Sequence, residues 1–375
     1  MSNYPYVRIR DDIKKRILEG EWLGETRLPS SRDFAKTYRS SVNTVEKAIK
    51  ELCADGLLKR DNRRGTFINN GVVSLRDDRR AGLVAASVIG IENPLWANAL
   101  RGIENVLSLH GFQLLSFSDD RSLDKLETFV ESAIAKRVDG VILSPIFDRR
   151  EEVRTRRIYE RLKESGIEVV FLDRHPYDSD IPFVTSDNIA GAYKLTKLLL
   201  DQGHRRILFL RNADLSTFHE RLLGVKQAYL DAGMMFEQRL DVLIPTEFED
   251  FKDEFDAFAD AAGDKIKETG CSAVFAANDQ VAEAVIAAFG KLGIRVPEDV
   301  SLVTYDALNL NRRLQLDVTG ANQPFYDMGK TAANLLVNLL EGREHLSVPG
   351  SICKAEINFG SSVGPTGYEA DIGWG

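Results

Sequence analysis

With 375 residues, 43% of them hydrophobic and 28% charged, the chain has the composition of a globular protein and exceeds the size at which one hydrophobic core usually stops growing. Its first residues lack the apolar segment of a secretion signal, and no stretch approaches the ~18 apolar residues of a membrane span, so we expect a cytoplasmic protein without membrane contact. The net charge of −8 is unevenly divided, because the first 80 residues carry 18 basic and 12 acidic side chains. Phosphates attract this basic part and repel the acidic remainder, so only the N-terminal part is expected to meet a polyanion.

The first forty residues predict two helices. Ile9, Ile13 and Ile17 recur at helical spacing, and Gly20 predicts the end of the first helix. Ser30 precedes Asp33 by three residues, which is the spacing of a capping box that opens a second, short helix.

A third helix is predicted to follow at once. Ser41 can cap its N-terminus, Gly56 can end it, and its apolar stripe consists of Val42, Val45, Ala48, Ile49 and Leu52. Because this stripe faces inward, the side chains left facing outward are Asn43, Thr44 and Lys47.

Two short strands, Leu57 to Arg60 and Thr66 to Ile68, enclose a polar turn and predict a hairpin. Three helices followed by a hairpin is the order of a winged helix, in which the third helix enters the major groove of DNA. Arg63 and Arg64 at the hairpin tip suit a narrow minor groove or flanking phosphates. For these two residues alone, a solvated tip without any ligand remains the simpler interpretation.

Four motifs in residues 5–70 carry a family resemblance: Leu28-Pro29-Ser30-Ser31-Arg32, Ser41-Val42-Asn43-Thr44-Val45, Gly56-Leu57-Leu58 and Gly65-Thr66-Phe67-Ile68. Together they resemble the GntR-type winged helix-turn-helix. The resemblance implies double-stranded DNA as a partner, and we assign to its interface Arg32, Ser41, Asn43, Thr44, Lys47, Arg63, Arg64 and Gly65. Asn43 stands where the family usually has Arg, and Arg63 where the wing usually has Gly, so we expect a different base preference.

After a winged-helix domain of residues 1–70, the polar and charged residues 71–80 predict a linker. From there to residue 360, short apolar runs such as Val169–Leu172 and Ala273–Ala277 alternate with amphipathic helical segments such as Leu95–Leu109. This alternation predicts an α/β fold of parallel sheets covered on both faces, with room for two lobes. Residues 361–375, rich in Gly and Ser, are expected to form a poorly ordered tail.

Four catalytic or phosphate-binding motifs are absent from the sequence: the phosphate loop G-x-x-x-x-G-K-[ST], G-x-G-x-x-G, H-E-x-x-H and G-x-S-x-G. The five histidines lack metal-ligand spacing. His204 follows a predicted helix end, where a surface or dipole-pairing role is expected. The sequence therefore predicts neither an enzyme, nor a metal site, nor a cofactor.

Polar groups and one aromatic ring follow the predicted strands, where ligands bind in parallel sheets: Trp96, Ser144, Arg174, Arg221, Asn278, Asp279 and Asp306. Carboxylates and guanidinium groups can hold paired hydroxyls, and an aromatic face can cover a sugar ring. Each residue has a plain alternative, since Asp and Asn often cap helices and Trp96 can be a core residue.

The order of motifs in this part resembles the LacI family, itself similar to periplasmic sugar-binding proteins. The carrying motifs include Asn93-Pro94-x-Trp96, Asp173-Arg174, Val184-x-x-Asp187-Asn188, Arg221-x-x-Gly224, Ala277-Asn278-Asp279, Tyr305-Asp306 and Gln323-Pro324. The resemblance implies two lobes with crossing strands, an effector in the cleft between them, and a homodimer. By motif, it places at the effector site Trp96, Ser144, Arg174, Asp187, Arg221, Asn278, Asp279, Asp306 and Gln323. The family's own DNA head and hinge helix are replaced here by the winged helix and linker.

A GntR/LacI hybrid of this kind predicts a transcription regulator, a repressor, whose operator binding is controlled by a sugar or sugar derivative. A cytoplasmic sugar-sensing protein without direct gene control is the alternative. An enzyme fused to a GntR-type head would need a cofactor lysine in a suitable context, which we do not find. The identity of the effector stays open, with an aldose such as arabinose as one candidate, as does the choice between induction and co-repression.

Overall fold

The chain consists of an N-terminal head and a larger body in a computed structural model. The structure describes residues 5–18, 27–54, 57–61, 65–68, 81–146, 151–176, 179–246, 254–342 and 350–366. The predicted linker 71–80 and the two wing arginines, Arg63 and Arg64, lie outside these ranges.

The head contains helices α1 (Pro5–Leu18), α2 (Ser31–Thr37) and α3 (Val42–Ala54), followed by strands β1 (Leu58–Asp61) and β2 (Gly65–Ile68). The two strands pair antiparallel, so the predicted winged-helix order is confirmed. The capping box of α2 is present, because the Ser30 side chain accepts from the Asp33 backbone and the Asp33 carboxylate accepts from the Ser30 backbone.

The core of the head is formed by buried residues of all three helices, among them Ile13, Phe34, Val45, Ile49 and Leu52. Val42 does not belong to it, contrary to the sequence prediction, and is 40% exposed. Ser41 and Asn43 beside it are exposed as well, so the first turn of α3 projects beyond the core.

The body begins with β3 (Leu83–Val88), α4 (Pro94–Leu109), β4 (Gln113–Ser118), α5 (Leu123–Ala135), β5 (Gly140–Leu143), α6 (Glu152–Glu164), β6 (Glu168–Leu172) and β7 (Phe183–Ser186). These elements form most of lobe 1. Its strands pair parallel, and their apolar residues are buried because helices cover the sheet.

Lobe 2 follows with α7 (Asn188–Asp201), β8 (Ile207–Arg211), α8 (Ser216–Asp231), β9 (Asp241–Leu243), α9 (Phe255–Thr269), β10 (Ala273–Ala276), α10 (Asp279–Leu292), β11 (Ser301–Tyr305), α11 (Ala307–Leu314) and β12 (Thr319–Asn322). The chain then returns to lobe 1 with α12 (Phe325–Leu340) and β13 (Gly350–Cys353), and ends in lobe 2 with β14 (Glu356–Asn358).

Each lobe is built on one sheet. The strand order is β13-β7-β6-β5-β3-β4 in lobe 1 and β14-β12-β11-β10-β8-β9 in lobe 2. All pairings in these two sheets are parallel except β12 with β14. The chain therefore crosses between the lobes three times, which confirms the predicted α/β fold with crossing strands.

Two expectations for the end of lobe 2 are wrong. Residues 361–366, assigned to a poorly ordered tail, pack on lobe 2: Ser362 is buried, its Oγ donates to Leu302 O (2.6 Å) and accepts from Thr319 N (2.8 Å). Of the two roles expected for His204, the surface role is wrong, because the side chain is buried, with Nε2 3.1 Å from the carbonyl oxygen of Gly364. The sequence could not show that the chain end folds back over this histidine.

No helix in the described ranges combines the length and the apolar character needed to cross a membrane.

Candidate functional sites in the cleft and on the head

The three crossings between the lobes lie side by side. The backbone N–H of Asp187, on the first crossing, donates to the carbonyl oxygen of Cys353 on the third (2.7 Å). The Oγ of Ser186 donates to Oε1 of Gln323 on the second crossing (2.8 Å). These hydrogen bonds hold the hinge together and place the carboxyl ends of both sheets beside one cleft.

The lobe 1 side of the cleft carries buried polar atoms whose hydrogen-bonding capacity is not used. Ser144 follows β5, and Asp173 and Arg174 follow β6. Within the described residues, Ser144 Oγ, Asp173 Oδ1 and Arg174 Nε have no hydrogen-bond partner. Burial raises the pKa of the Asp173 carboxyl and lowers that of the Arg174 guanidinium, although each partly offsets the shift of the other. Such atoms are costly to bury and suit a polar ligand.

Two further groups on this side were not predicted from the sequence. Asp119, directly after β4, accepts from Ser87 Oγ (2.6 Å) and from the Arg121 backbone (2.9 Å). The Arg121 Nη2 donates to Oε1 of Gln280 in lobe 2 (3.3 Å), and burial, followed by the charge of Arg174, lowers the pKa of Arg121 to about 10. Arg121 therefore bridges the two lobes. The only sequence feature that could have identified Arg121 as a cleft residue is its position three residues after the end of β4.

Arg221, from α8, is buried at the base of the cleft. Its Nε donates to Oδ1 of Asn188 (2.9 Å) and its Nη1 to the carbonyl oxygen of Ala277 (2.6 Å). The guanidinium also lies 3.8 Å from the ring centre of Tyr305, whose hydroxyl donates to the carbonyl oxygen of Asn188 (2.8 Å). Arg221 is thus engaged with three neighbours, which makes it a support of the cleft in this conformation.

Asp306 and Gln323 form a buried pair at the hinge. The Nε2 of Gln323 donates to Oδ2 of Asp306 (2.9 Å). Burial raises the pKa of Asp306 to about 7, while the positive charge of Arg221 acts in the opposite direction. This carboxyl therefore changes its charge near neutral pH.

Besides Asp306 at the start of α11, three of the predicted ligand residues lie at helix N-termini. Asp187 caps α7 by accepting from the backbone of Ala190 (2.9 Å), and Asn278 caps α10 by accepting from the backbone of Val281 (2.9 Å). Asp279 is buried and accepts from Asn309 Nδ2 (2.6 Å), and burial raises its pKa. The capping alternative thus describes Asp187 and Asn278, each of which uses its Oδ1 to cap a helix.

Trp96 lies in the core of lobe 1. Its ring is buried and packs edge-on against Phe325, with ring centres 4.9 Å apart. The core alternative therefore describes this residue in the present conformation, and Trp96 offers little surface to a ligand.

A second contact between the lobes involves His175 and Glu220. The His175 Nε2 lies 3.2 Å from Glu220 Oε1, and Glu220 Oε2 accepts from Asn188 Nδ2 (2.8 Å). The His175 ring stacks on Phe183 at 3.7 Å. Neither residue was predicted, although they adjoin the predicted Arg174 and Arg221 in sequence.

On the head, several predicted DNA-binding residues lie near two helix N-termini and the start of β2. Arg32, Asn43 and Lys47 are exposed, and the Lys47 Nζ lies 3.8 Å from the ring centre of Tyr6. Ser41 caps α3, because its Oγ accepts from the Thr44 backbone (3.1 Å) and lies 2.7 Å from Thr44 Oγ1. These two hydroxyls are therefore partly engaged with each other.

Gly65 begins β2 with a backbone φ of +111°, a conformation that favours glycine. A methyl group on its Cα would lie 3.0 Å from Nε of Arg27. Close packing and backbone conformation both explain the glycine at this point of the wing.

A helix-turn-helix head with a wing, joined to two α/β lobes around a polar cleft, defines a ligand-responsive DNA-binding regulator as the class of this protein. Residues 5–68 match the family model of bacterial regulatory proteins of the gntR family, and residues 196–363 match a periplasmic binding protein-like domain. Within the described residues no group of three or more His, Cys, Asp or Glu could hold a metal ion.

Relatives and solved structures agree with this division. The chain is 27% identical over 345 residues to the arabinose metabolism transcriptional repressor of Halalkalibacterium halodurans, covering 90% of this chain and 89% of the relative. It is 27% identical to the ribose operon repressor of the same organism, covering 83% and 90%. A structure of the transcriptional regulator CelR with cellobiose is similar at 26% identity and a TM-score of 0.65, covering 86% and 90%. The regulator CcpA of Lactococcus lactis shares the fold, with a TM-score of 0.66 at 24% identity and coverage of 75% and 98%.

The chain therefore combines a head that matches the gntR family of bacterial regulatory proteins with a body that matches periplasmic binding protein-like domains.

Proposed function

We propose that this regulator is a repressor whose operator binding is controlled by a sugar in the cleft between the lobes. The observation that carries the proposal is a set of buried atoms on lobe 1 that have no hydrogen-bond partner among the described residues: Ser144 Oγ, Asp173 Oδ1 and Arg174 Nε. The Arg174 Nε lies 3.5 Å from Asp173 Oδ2 in an ion pair, so it keeps a charge partner but no short hydrogen bond. A sugar hydroxyl both donates and accepts, so adjacent hydroxyls can satisfy a carboxylate and a guanidinium at the same time. The names of the relatives support this class of effector, since they refer to arabinose, ribose and cellobiose.

Closure of the lobes is the proposed response to the effector. Two contacts already span the cleft, His175 with Glu220 and Arg121 with Gln280. A ligand that binds both walls stabilises the arrangement in which these contacts form, and it shifts the population of lobe arrangements by its differential affinity. The same shift changes the affinity of the heads for DNA, and linkage requires that DNA changes effector affinity by an equal factor.

We further propose that the chain acts in the cytoplasm as a homodimer on a two-fold symmetric operator. Strands β4 and β9 each form one edge of a sheet and carry the exposed leucines Leu115 and Leu243. Exposed apolar side chains on sheet edges favour burial against another chain. Leu308 and Leu314 on α11 are exposed as well.

The test is an in vitro selection of duplex DNA from a random library, followed by titration of the selected duplex in the presence of individual sugars. We expect a preferred, symmetric sequence, and at least one sugar that changes the affinity for it at least tenfold. A protein that binds a sugar but shows no sequence preference at physiological salt is a sensor without direct gene control, and this result would contradict the proposal.

A further inference from the structure

A third element extends the wing sheet of the head. Arg27 forms an antiparallel bridge with Phe67 of β2, and the Leu28 N–H donates to the carbonyl oxygen of Thr66 (2.9 Å). On the other side of β2, Phe67 is in register with Lys59 of β1. Residues that are partners across a sheet share one face. Lys59, Phe67 and Arg27 therefore form a row across the sheet.

This row lies on the face of the wing that points away from the helices. Leu58 and Thr66, on the opposite face, are buried, whereas Lys59 and Arg27 are exposed. The Arg27 side chain extends along β2 to Gly65, since a methyl group on Gly65 would lie 3.0 Å from Nε and 3.6 Å from Cζ. The guanidinium thus lies beside Gly65, where β2 begins.

Arg27 differs from two other arginines of the head in that it has no carboxylate partner among the residues described there. Arg10 pairs with Glu51 (3.1 Å), and Arg60 pairs with Glu46 (2.5 Å). Among the residues described in the head, no carboxylate pairs with Arg27. The segment that starts at Arg27 leads directly into the capping box of α2, and Arg32 follows in the first turn of that helix. The short segment from the wing to the first turn of α2 therefore carries an exposed guanidinium group at each end, Arg27 and Arg32.

We propose that Arg27 binds a backbone phosphate of DNA beside the wing, a role distinct from base recognition. The inference rests on DNA binding by the head. The backbone at Arg27 is fixed by the sheet, while its guanidinium is exposed and without a carboxylate partner in the described part of the head. A cation held in this way can neutralise a phosphate without paying for a lost ion pair.

The experiment measures binding of the full-length chain to a fluorescein-labelled 30-base-pair duplex of arbitrary sequence over a range of salt concentrations. One phosphate contact contributes about 0.9 to the slope of log affinity against log salt. We expect Arg27→Ala to make this negative slope shallower by about 0.9. The same change should weaken binding roughly threefold to tenfold near 0.1 M salt. Arg27→Lys keeps the charge and is expected to retain most of the affinity.

Lys194→Ala provides the control, because Lys194 is an exposed cation on α7 of the body. It removes the same charge and should leave both slope and affinity unchanged. An unchanged slope and affinity for Arg27→Ala would overturn the proposal. So would a loss seen only on the selected operator and equally large for Arg27→Lys, because that pattern indicates base readout. If the unmodified chain binds no duplex at all, DNA binding itself is wrong, and the role of Arg27 is rejected with it.

Discussion

Gln323 and Asp306 are joined by a 2.9 Å hydrogen bond from Nε2 to Oδ2, and the Oε1 of the same amide accepts from Ser186 on another crossing. One side chain thus connects two crossings between the lobes to a buried carboxyl. Because the amide contacts both, the charge of Asp306 is coupled to the geometry of the hinge.

The stability of the protein should fall as the pH rises toward 7 because of Asp306. Burial raises its pKa in the folded state to about 7, from an ordinary value of 3.8, so folding favours the protonated form. This contribution is fully present below pH 4 and is lost as the pH rises through 7. In the parent protein, Asp306 should lower the free energy of unfolding by on the order of 2–4 kcal/mol between pH 4 and pH 7, at about 1.4 kcal/mol per pH unit. Asp306→Asn cannot titrate, so the variant should not show this decrease.

Urea unfolding at pH 5 and pH 8 measures the effect. Burial also raises the pKa values of Asp173 and Asp279, and the charges of both raise the pKa of Asp306. The difference between variant and parent therefore reports Asp306 together with its interaction with these two carboxyls. An equal pH dependence in the two proteins would show that the carboxyl is not protonated on folding.

Ser144→Ala should stabilise the free protein slightly and weaken effector binding. The Ser144 Oγ is buried without a hydrogen-bond partner among the described residues, so removing it relieves an unsatisfied group. A hydroxyl that meets the effector contributes about 1 kcal/mol to binding, and its loss should weaken affinity roughly fivefold. Thermal unfolding with and without the sugar found by screening measures both effects.

Thr155→Val is the matched control for this prediction. The Thr155 Oγ1, on α6, is the other buried side-chain hydroxyl without a partner in the described residues. Its replacement should also stabilise the free protein but leave sugar affinity unchanged. Equal loss of affinity in both variants would place the effect in the folding of lobe 1 and not in the cleft.

DNA binding and effector binding should be separable by two substitutions. Arg32→Ala removes an exposed cation of α2 and should weaken operator binding about tenfold while sugar affinity stays the same. Asp279→Ala removes a buried acceptor of Asn309 and should weaken the sugar response while operator binding without sugar is retained. Fluorescence anisotropy for DNA and calorimetry for sugar give the two affinities. Loss of sugar binding in Arg32→Ala with intact DNA binding would contradict this division.

Truncation should show where the folded body ends. Ending the chain at Gly360 removes Ser362, which hydrogen-bonds to Leu302 and Thr319, and exposes His204. We expect a loss of roughly 2 kcal/mol or more in the free energy of unfolding, since several buried hydrogen bonds are lost together. Ending the chain at Thr366 keeps these bonds and should cost little. Urea unfolding of both truncated chains measures the difference. Equal stability would show that the folded body ends at residue 360, as the sequence predicted.

The predicted effector site was only partly resolved by the sequence. Ser144 and Arg174 were found because each follows a strand, and strand ends meet at one edge of a parallel sheet. The sequence could not predict whether the polar atoms of these side chains have hydrogen-bond partners within the protein. Arg221 and Asp306 are buried in pairs with Asn188, Ala277 and Gln323, and those partners come from distant parts of the chain.

What the sequence by itself determined is local: the capping box at Ser30, the helical stripe of α3, and the alternation of apolar strands with amphipathic helices that specifies an α/β body. These features depend on neighbours within a few residues, so periodicity and cap chemistry reveal them. Only the tertiary structure decided which polar groups face each other. His175 meets Glu220 across 45 residues, and Arg27 reaches Gly65 across the wing sheet. Such contacts depend on how the elements pack, and no local pattern encodes them.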